Sequence, residues 1–173
     1  MRRELWGALA GTLATVPMTL AMVAMHRRLP FWQRTPLPPR PVTRNLLQPV
    51  GSWQQLDEAA KKQLVAAAHL GYGAATGAVT AAGSGGKKLS PLLAGPLLGS
   101  AIWAGSYLGW LPALGVLSSA VRQPWRRNLL MLSAHWVWGI ADVFLNNRLA
   151  AEADQQHAAQ NDKDSELTAG DGI

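Results

Sequence analysis

The chain has 173 residues, 49% of them hydrophobic and 15% charged, and its 16 Lys and Arg against 10 Asp and Glu give a formal net charge of +6. It contains no cysteine, which excludes disulfides, thiolate nucleophiles, iron–sulfur clusters and cysteine-ligated zinc. Six of the ten acidic residues (Glu152, Asp154, Asp162, Asp164, Glu166, Asp171) lie beyond residue 151, leaving a body with 15 basic and 4 acidic residues. Ten of its fifteen cations come in pairs at the ends of apolar runs (Arg2-Arg3, Arg27-Arg28, Lys61-Lys62, Lys87-Lys88, Arg126-Arg127). Membrane spans are flanked in this way, and no nucleic-acid recognition motif accompanies the charge. Anionic lipid headgroups are the expected partners; nucleic acid is not.

Crossing a hydrocarbon layer about 30 Å thick takes roughly 20 largely apolar residues. Four stretches qualify, predicting an all-α, polytopic membrane protein with a four-helix transmembrane bundle in residues 1–150. The first span, 5–26, has no Lys, Arg, Asp or Glu. Its apolar run is longer than the roughly 7–15 residues of a signal peptide and ends in His26-Arg27-Arg28 rather than a cleavage site, so it reads as an uncleaved helix. The first loop carries RTPLPPRPV (34–42), whose Pro36, Pro38, Pro39 and Arg40 predict a stiff polyproline-II strap. After it, Ser52 reads as a helix N-cap with Asp57 and Glu58 in the first turns, and Trp53 and Leu56 as headgroup anchors.

The second span is 63–82 and the third 92–112, the latter within an apolar region punctuated by Pro91, Pro96 and Pro112. The fourth is 128–148, followed by an acidic tail, 151–173, expected to be disordered. Small residues four apart recur as Gly7/Gly11, Gly73/Gly77, Gly95/Gly99 and Gly105/Gly109. In lipid such pairs let helix backbones approach closely, so they are read as packing positions. Loops one and three carry ten Lys and Arg against five on the other side, which predicts cytoplasmic loops one and three with both termini outside.

Ionisable groups at bilayer depth are costly and need a partner or a function. His69 and His135 lie roughly 10 Å deep from the same face, and Asp142 is one heptad beyond His135. Asp142 is expected to face inward, bonded to water or to hydroxyls among Thr12, Thr15, Thr76 and Ser100, with Asn146 one turn away. The stripes His135, Gly139, Asp142, Asn146 and His69, Gly73, Thr76, Thr80 are each spaced for one helical face. They read either as interhelical glue or as a hydrated path. No nucleophile elbow or His-Glu-x-x-His motif occurs, and the two histidines and the aspartate differ in level, so no catalytic residue, metal or cofactor is assigned. Trp6, Trp32, Trp53, Trp110 and Trp125 fall near expected interfaces.

These features together resemble the YagU-like family of small bacterial inner-membrane proteins, a domain family of unknown function. The resemblance rests on Gly7/Gly11, PLPPR (Pro36–Arg40), a span with His69 followed by Gly71–Gly73, and HWVWGIAD (His135–Asp142), and it covers roughly residues 5–149. It implies a multi-pass protein of the bacterial cytoplasmic membrane with no established catalytic residues. The expected function is a non-enzymatic structural or envelope-accessory component, with a homo-oligomer or another membrane protein as partner. The alternative is a proton-linked small-solute transporter or channel using the buried His/Asp layer.

Overall fold

A computed structural model describes residues 2–170, and among them there are helices and turns but no strand. The first apolar stretch forms α1 (Arg2–His26), an Ala- and Leu-rich helix that carries Pro17 in its interior. The strap differs from expectation: instead of staying extended, it opens α2 (Pro39–Leu47). A proline's missing N–H costs nothing in a first turn, where that group has no helical partner anyway, and its fixed φ already suits the helix.

The start of the second span is also displaced. Ser52 begins only a four-residue turn, α3 (Ser52–Gln55), which ends at Leu56 in extended backbone (φ −82°, ψ 142°). The cap of α4 (Glu58–Ser84) is Asp57, whose Oδ1 accepts from the Ala60 amide at 2.7 Å. Trp53, expected as a lipid anchor, is instead buried beneath Lys61, whose Nζ lies 5.8 Å from its ring. The third apolar region is broken into α5 (Pro91–Ala104), a π-helical turn at Gly105–Trp110, and α6 (Leu111–Ala113).

The last helix, α7 (Trp125–Gly170), runs on through the stretch expected to be disordered. Residues 151–169 contain no Pro or Gly and are rich in Ala and Gln, so nothing local ends the helix. The rest of the expected tail, 171–173, lies outside the described residues.

Among the described residues, three segments are long and apolar enough to cross a membrane: Arg3–His26, Pro91–Ala113 and Trp125–Glu152. At 27 residues α4 matches them in length, but its Gly, Ala, Thr, Tyr and His residues contribute far less hydropathy than the Leu and Val of the others.

The helices are ordered α4, α1, α7, α5 by contact, with α1 and α7 in the middle. Ala14, Met18 and Met22 of α1 meet Leu130, Met131, Ala134 and Trp138 of α7 in the apolar core. The two outer helices dock through glycines. A Cβ on Gly11 would fall on the Gly73 carbonyl and 2.9 Å from the Gly77 Cα, and one on Gly77 would lie 2.7 Å from the Gly11 Cα. On the other side, a Cβ on Gly95 would lie 2.6 Å from the Ile140 backbone, and one on Gly139 would meet the Gly95 carbonyl.

Gly105 and Gly109 do not share this role. A Cβ on Gly105 would meet nothing within 4 Å, and Gly109 adopts the non-helical angles φ −102°, ψ −109° where the third segment kinks. The spacing is the same, but these glycines belong to the unwound turn rather than to a helix seam.

Gly77→Ala should therefore destabilise the fold by about 1–3 kcal/mol through forced separation of α1 and α4. Gly105→Ala, in helical backbone with open space around it, should be neutral or stabilise by about 0.4–1 kcal/mol. Thermal unfolding of the two variants in detergent micelles checks both expectations.

Candidate functional site

The outer helices α4 and α5 lean on α1 and α7 respectively and scarcely touch one another. Between them, under α2, lies a chamber of ≈190 Å³ whose wall includes His69, Tyr72 and Thr76 of α4, Ser106 and Tyr107 of the π-helical turn, and His135 and Trp138 of α7. Pro38, Pro39, Val42, Thr43 and Leu46 form one side of the chamber. The Pro-rich run is thus a roof, positioned where polar ring side chains from two helices face the same space.

Several bonds tie this roof down. Arg127, itself buried, donates to the Thr35 carbonyl at 3.3 Å and the Pro36 carbonyl at 2.8 Å. His26 Nε2 donates to the same Thr35 carbonyl at 3.0 Å. Asn45 of α2 donates to the Val116 carbonyl at 2.7 Å, joining the roof to the loop after α6. Outside, Glu58 accepts from Arg40 at 2.8 Å and from Lys61 at 3.1 Å. The Arg40 bond, followed by that of Lys61, holds the exposed Glu58 carboxyl below its usual range. Arg40 of the strap therefore acts as a latch between the roof and the start of α4.

Both histidines line the chamber, in line with their matched depth. His135 Nδ1 donates to the Met131 carbonyl at 2.7 Å, and its ring meets Tyr107 edge-on at 5.9 Å. His69 Nδ1 lies 3.5 Å from Thr19 Oγ1.

Asp142 stands apart. It is 0% exposed and lines neither this chamber nor the cleft described below, and neither carboxyl oxygen has a hydrogen-bond partner. The hydroxyl partners expected for it are committed elsewhere. Thr12 donates to the Ala8 carbonyl, Thr15 to Gly11 and Thr76 to Tyr72, each four residues back on its own helix. Ser100 accepts from Trp136 Nε1 at 2.8 Å. A threonine hydroxyl in a helix finds its own i−4 carbonyl nearer than a neighbouring helix's side chain, and its proton is then spent. Asn146 donates to the backbone carbonyl of Asp142 at 3.1 Å.

The stripe from His135 to Asn146 is accordingly divided among neighbours. His135 faces the chamber, Gly139 touches α5, and Asp142 is sealed. On α4, His69 and Thr76 line the chamber, Gly73 also packs against Thr15, and Thr80 lies in the adjoining cleft.

Side chains for which the sequence predicts no bond between segments make them. Trp138 Nε1 donates to the Gly11 carbonyl at 3.1 Å, linking α7 to α1. The Tyr72 and Ser106 hydroxyls are 2.7 Å apart, bridging the gap between α4 and the π-helical turn. Asn147 Nδ2 donates to the Leu89 carbonyl at 2.8 Å. Tyr72 stands beside Gly73, which packs against α1, so a hydroxyl next to a small-residue packing position was the available signal. Among the described residues, no three or more His, Asp or Glu side chains are grouped to hold a metal ion.

Comparison with known proteins returns no match, whether with protein-family models, curated proteins or solved structures.

Replacing Arg127 by Gln should release the roof, since hydrogen bonds from a charged donor contribute about 1.5–3 kcal/mol each. Amide hydrogen exchange over residues 34–47 should quicken, with a lower unfolding temperature, while the α1–α4 seam stays protected.

Proposed function

We propose that the chain is a four-span protein of a bacterial cytoplasmic membrane, with a non-enzymatic structural or envelope-accessory role. Three of its helices have the length and apolarity for the task. The fourth span is α4, whose 27 residues reach about 40 Å at 1.5 Å per residue. With four crossings, the excess of cations on loops one and three puts those loops in the cytoplasm and both termini outside. The motif resemblance to the YagU-like family agrees with this reading.

The observation that carries the non-transport reading is the isolation of Asp142: it is closed to solvent and separated from the chamber that holds both histidines. A proton path needs its titratable groups in sequence along one hydrated route. Here the polar side chains mostly bond within their own helix or tie helices together through Trp138, Trp136, Tyr72 and Asn147. This is the pattern of a bundle whose polar groups decide which faces meet.

Proton-linked transport is the second reading, favoured by one observation: a buried carboxyl whose oxygens accept no hydrogen bond of good geometry is unusual and asks for a reason. The two readings separate cleanly in proteoliposomes. On the structural reading, Asp142→Asn leaves proton leak unchanged and keeps or raises the unfolding temperature, because no bond is lost and an unpaired acid is removed from the interior. His135→Ala lowers the unfolding temperature, again with unchanged leak. A wild-type proton flux abolished by Asp142→Asn would instead establish transport.

A further inference from the structure

The chamber does not end at α4 and α5. A second cavity, a cleft of ≈620 Å³ between the same two helices, shares Thr76 and Ile102 with it. Ala75 and Val79 of α4 and Ala94 and Leu98 of α5 line this cleft, with Val143 of α7 among its walls, and it reaches Lys87 and Leu89 at the other end of the helices. Chamber and cleft together follow the seam where α4 and α5 fail to meet, one end ringed by polar and aromatic groups and the rest largely apolar.

The chamber's composition selects its occupant. None of its lining residues is Lys, Arg, Asp or Glu, and Arg127 behind Tyr107 is spent on the Thr35 and Pro36 carbonyls, so a phosphate, carboxylate or ammonium head would touch no opposite charge. What it offers are neutral hydrogen-bonding groups. Because a carbonyl can only accept, the bond from His135 Nδ1 to Met131 fixes the proton on that nitrogen, and in the neutral ring Nε2 is left as an acceptor. Tyr72, Tyr107, Trp110 and Trp138 supply flat walls, suited to a ring. At ≈190 Å³ the space is below the about 300–1,000 Å³ of sites that enclose a whole drug-sized molecule, so it takes a single ring and not a full lipid headgroup.

We propose that this pair of cavities is a binding site for a neutral, hydroxyl-bearing ring compound with a long apolar chain, the prenylquinol class. The ring sits beneath α2 with a hydroxyl donated to His135 Nε2, and the chain lies in the cleft between α4 and α5. The four-span reading enters only in the route of the chain, which joins the ligand to the bilayer sideways between two spans. Failure of that reading would show as failure to incorporate into nanodiscs, which is separate from failure to bind.

The test is a titration of the nanodisc-incorporated full chain with a decyl-substituted benzoquinol, followed by quenching of tryptophan fluorescence; Trp110 and Trp138 report from the chamber wall. Saturable quenching is expected in the wild type. Ala68→Phe, which fills the chamber from α4, and His135→Phe, which removes the acceptor, should each weaken binding at least ten-fold. Circular dichroism and the unfolding temperature establish that each variant is folded, and the wild-type curve stands without either. Quenching that rises linearly with quinol and is unaltered by Ala68→Phe would overturn the proposal. So would displacement of the quinol by dodecanoate at equal concentration, since a charged head should not compete in a chamber lined by no cation.

Discussion

Direct backbone contact between glycines sets this architecture. On the membrane reading proposed above, burying more apolar surface between helices gains little, because the acyl chains are as apolar as the side chains they replace. Stability must then come from dispersion and hydrogen bonding at close range, and both need backbones near one another. Gly11 against Gly73 and Gly77, and Gly139 against Gly95, provide that approach at two seams. The larger side chains, Met18, Met22, Met131 and Trp138, are left for the wider space between α1 and α7.

One consequence follows from where the seams lie. Each outer helix is fastened to a different central helix, so the two outer helices are held apart, and the Tyr72–Ser106 pair bridges the gap between α4 and the turn that continues α5. The gap is the chamber and cleft. The kinked π-helical turn extends this geometry by carrying Ser106 and Tyr107 into the chamber wall. The roof closes it because Pro39 can start a helix and because Arg127 supplies two bonds to the turn before that helix. Asp142 lies outside this arrangement, enclosed, while the threonine hydroxyls expected to meet it are bonded to their own backbones.

Much of this was legible in the sequence, and the parts that were not have identifiable physical causes. The helical stretches followed from apolar length, and the Gly7/Gly11 and Gly73/Gly77 pairs from their spacing. That spacing could not separate them from Gly105/Gly109, since a small-residue pattern does not tell whether a partner helix lies opposite. Proline density suggested an extended strap, but a proline fits the first turn of a helix equally well, and the outcome at Pro39 depended on the chain beyond it. The shared level of His69 and His135 came from counting along the helices. The lack of a partner for Asp142 could not be read that way, because periodicity gives the direction of a side chain and says nothing about whether a threonine proton is already spent. Arg127 and Tyr107 were missed for a related reason: an arginine flanking an apolar run looks like any other membrane-flanking cation until its carbonyl partners are known.

The crossing of α4 decides between a four-span bundle and a three-span protein with a helix lying beside it. The chain's lack of cysteine allows a direct measurement. Single cysteines at the exposed positions Lys62 and Lys87 flank α4's apolar stretch and can be labelled in intact spheroplasts with a membrane-impermeant maleimide. If α4 crosses in the proposed direction, Lys87→Cys labels from outside and Lys62→Cys labels only after the membrane is permeabilised. Labelling of both positions from the same side would contradict the four-span bundle.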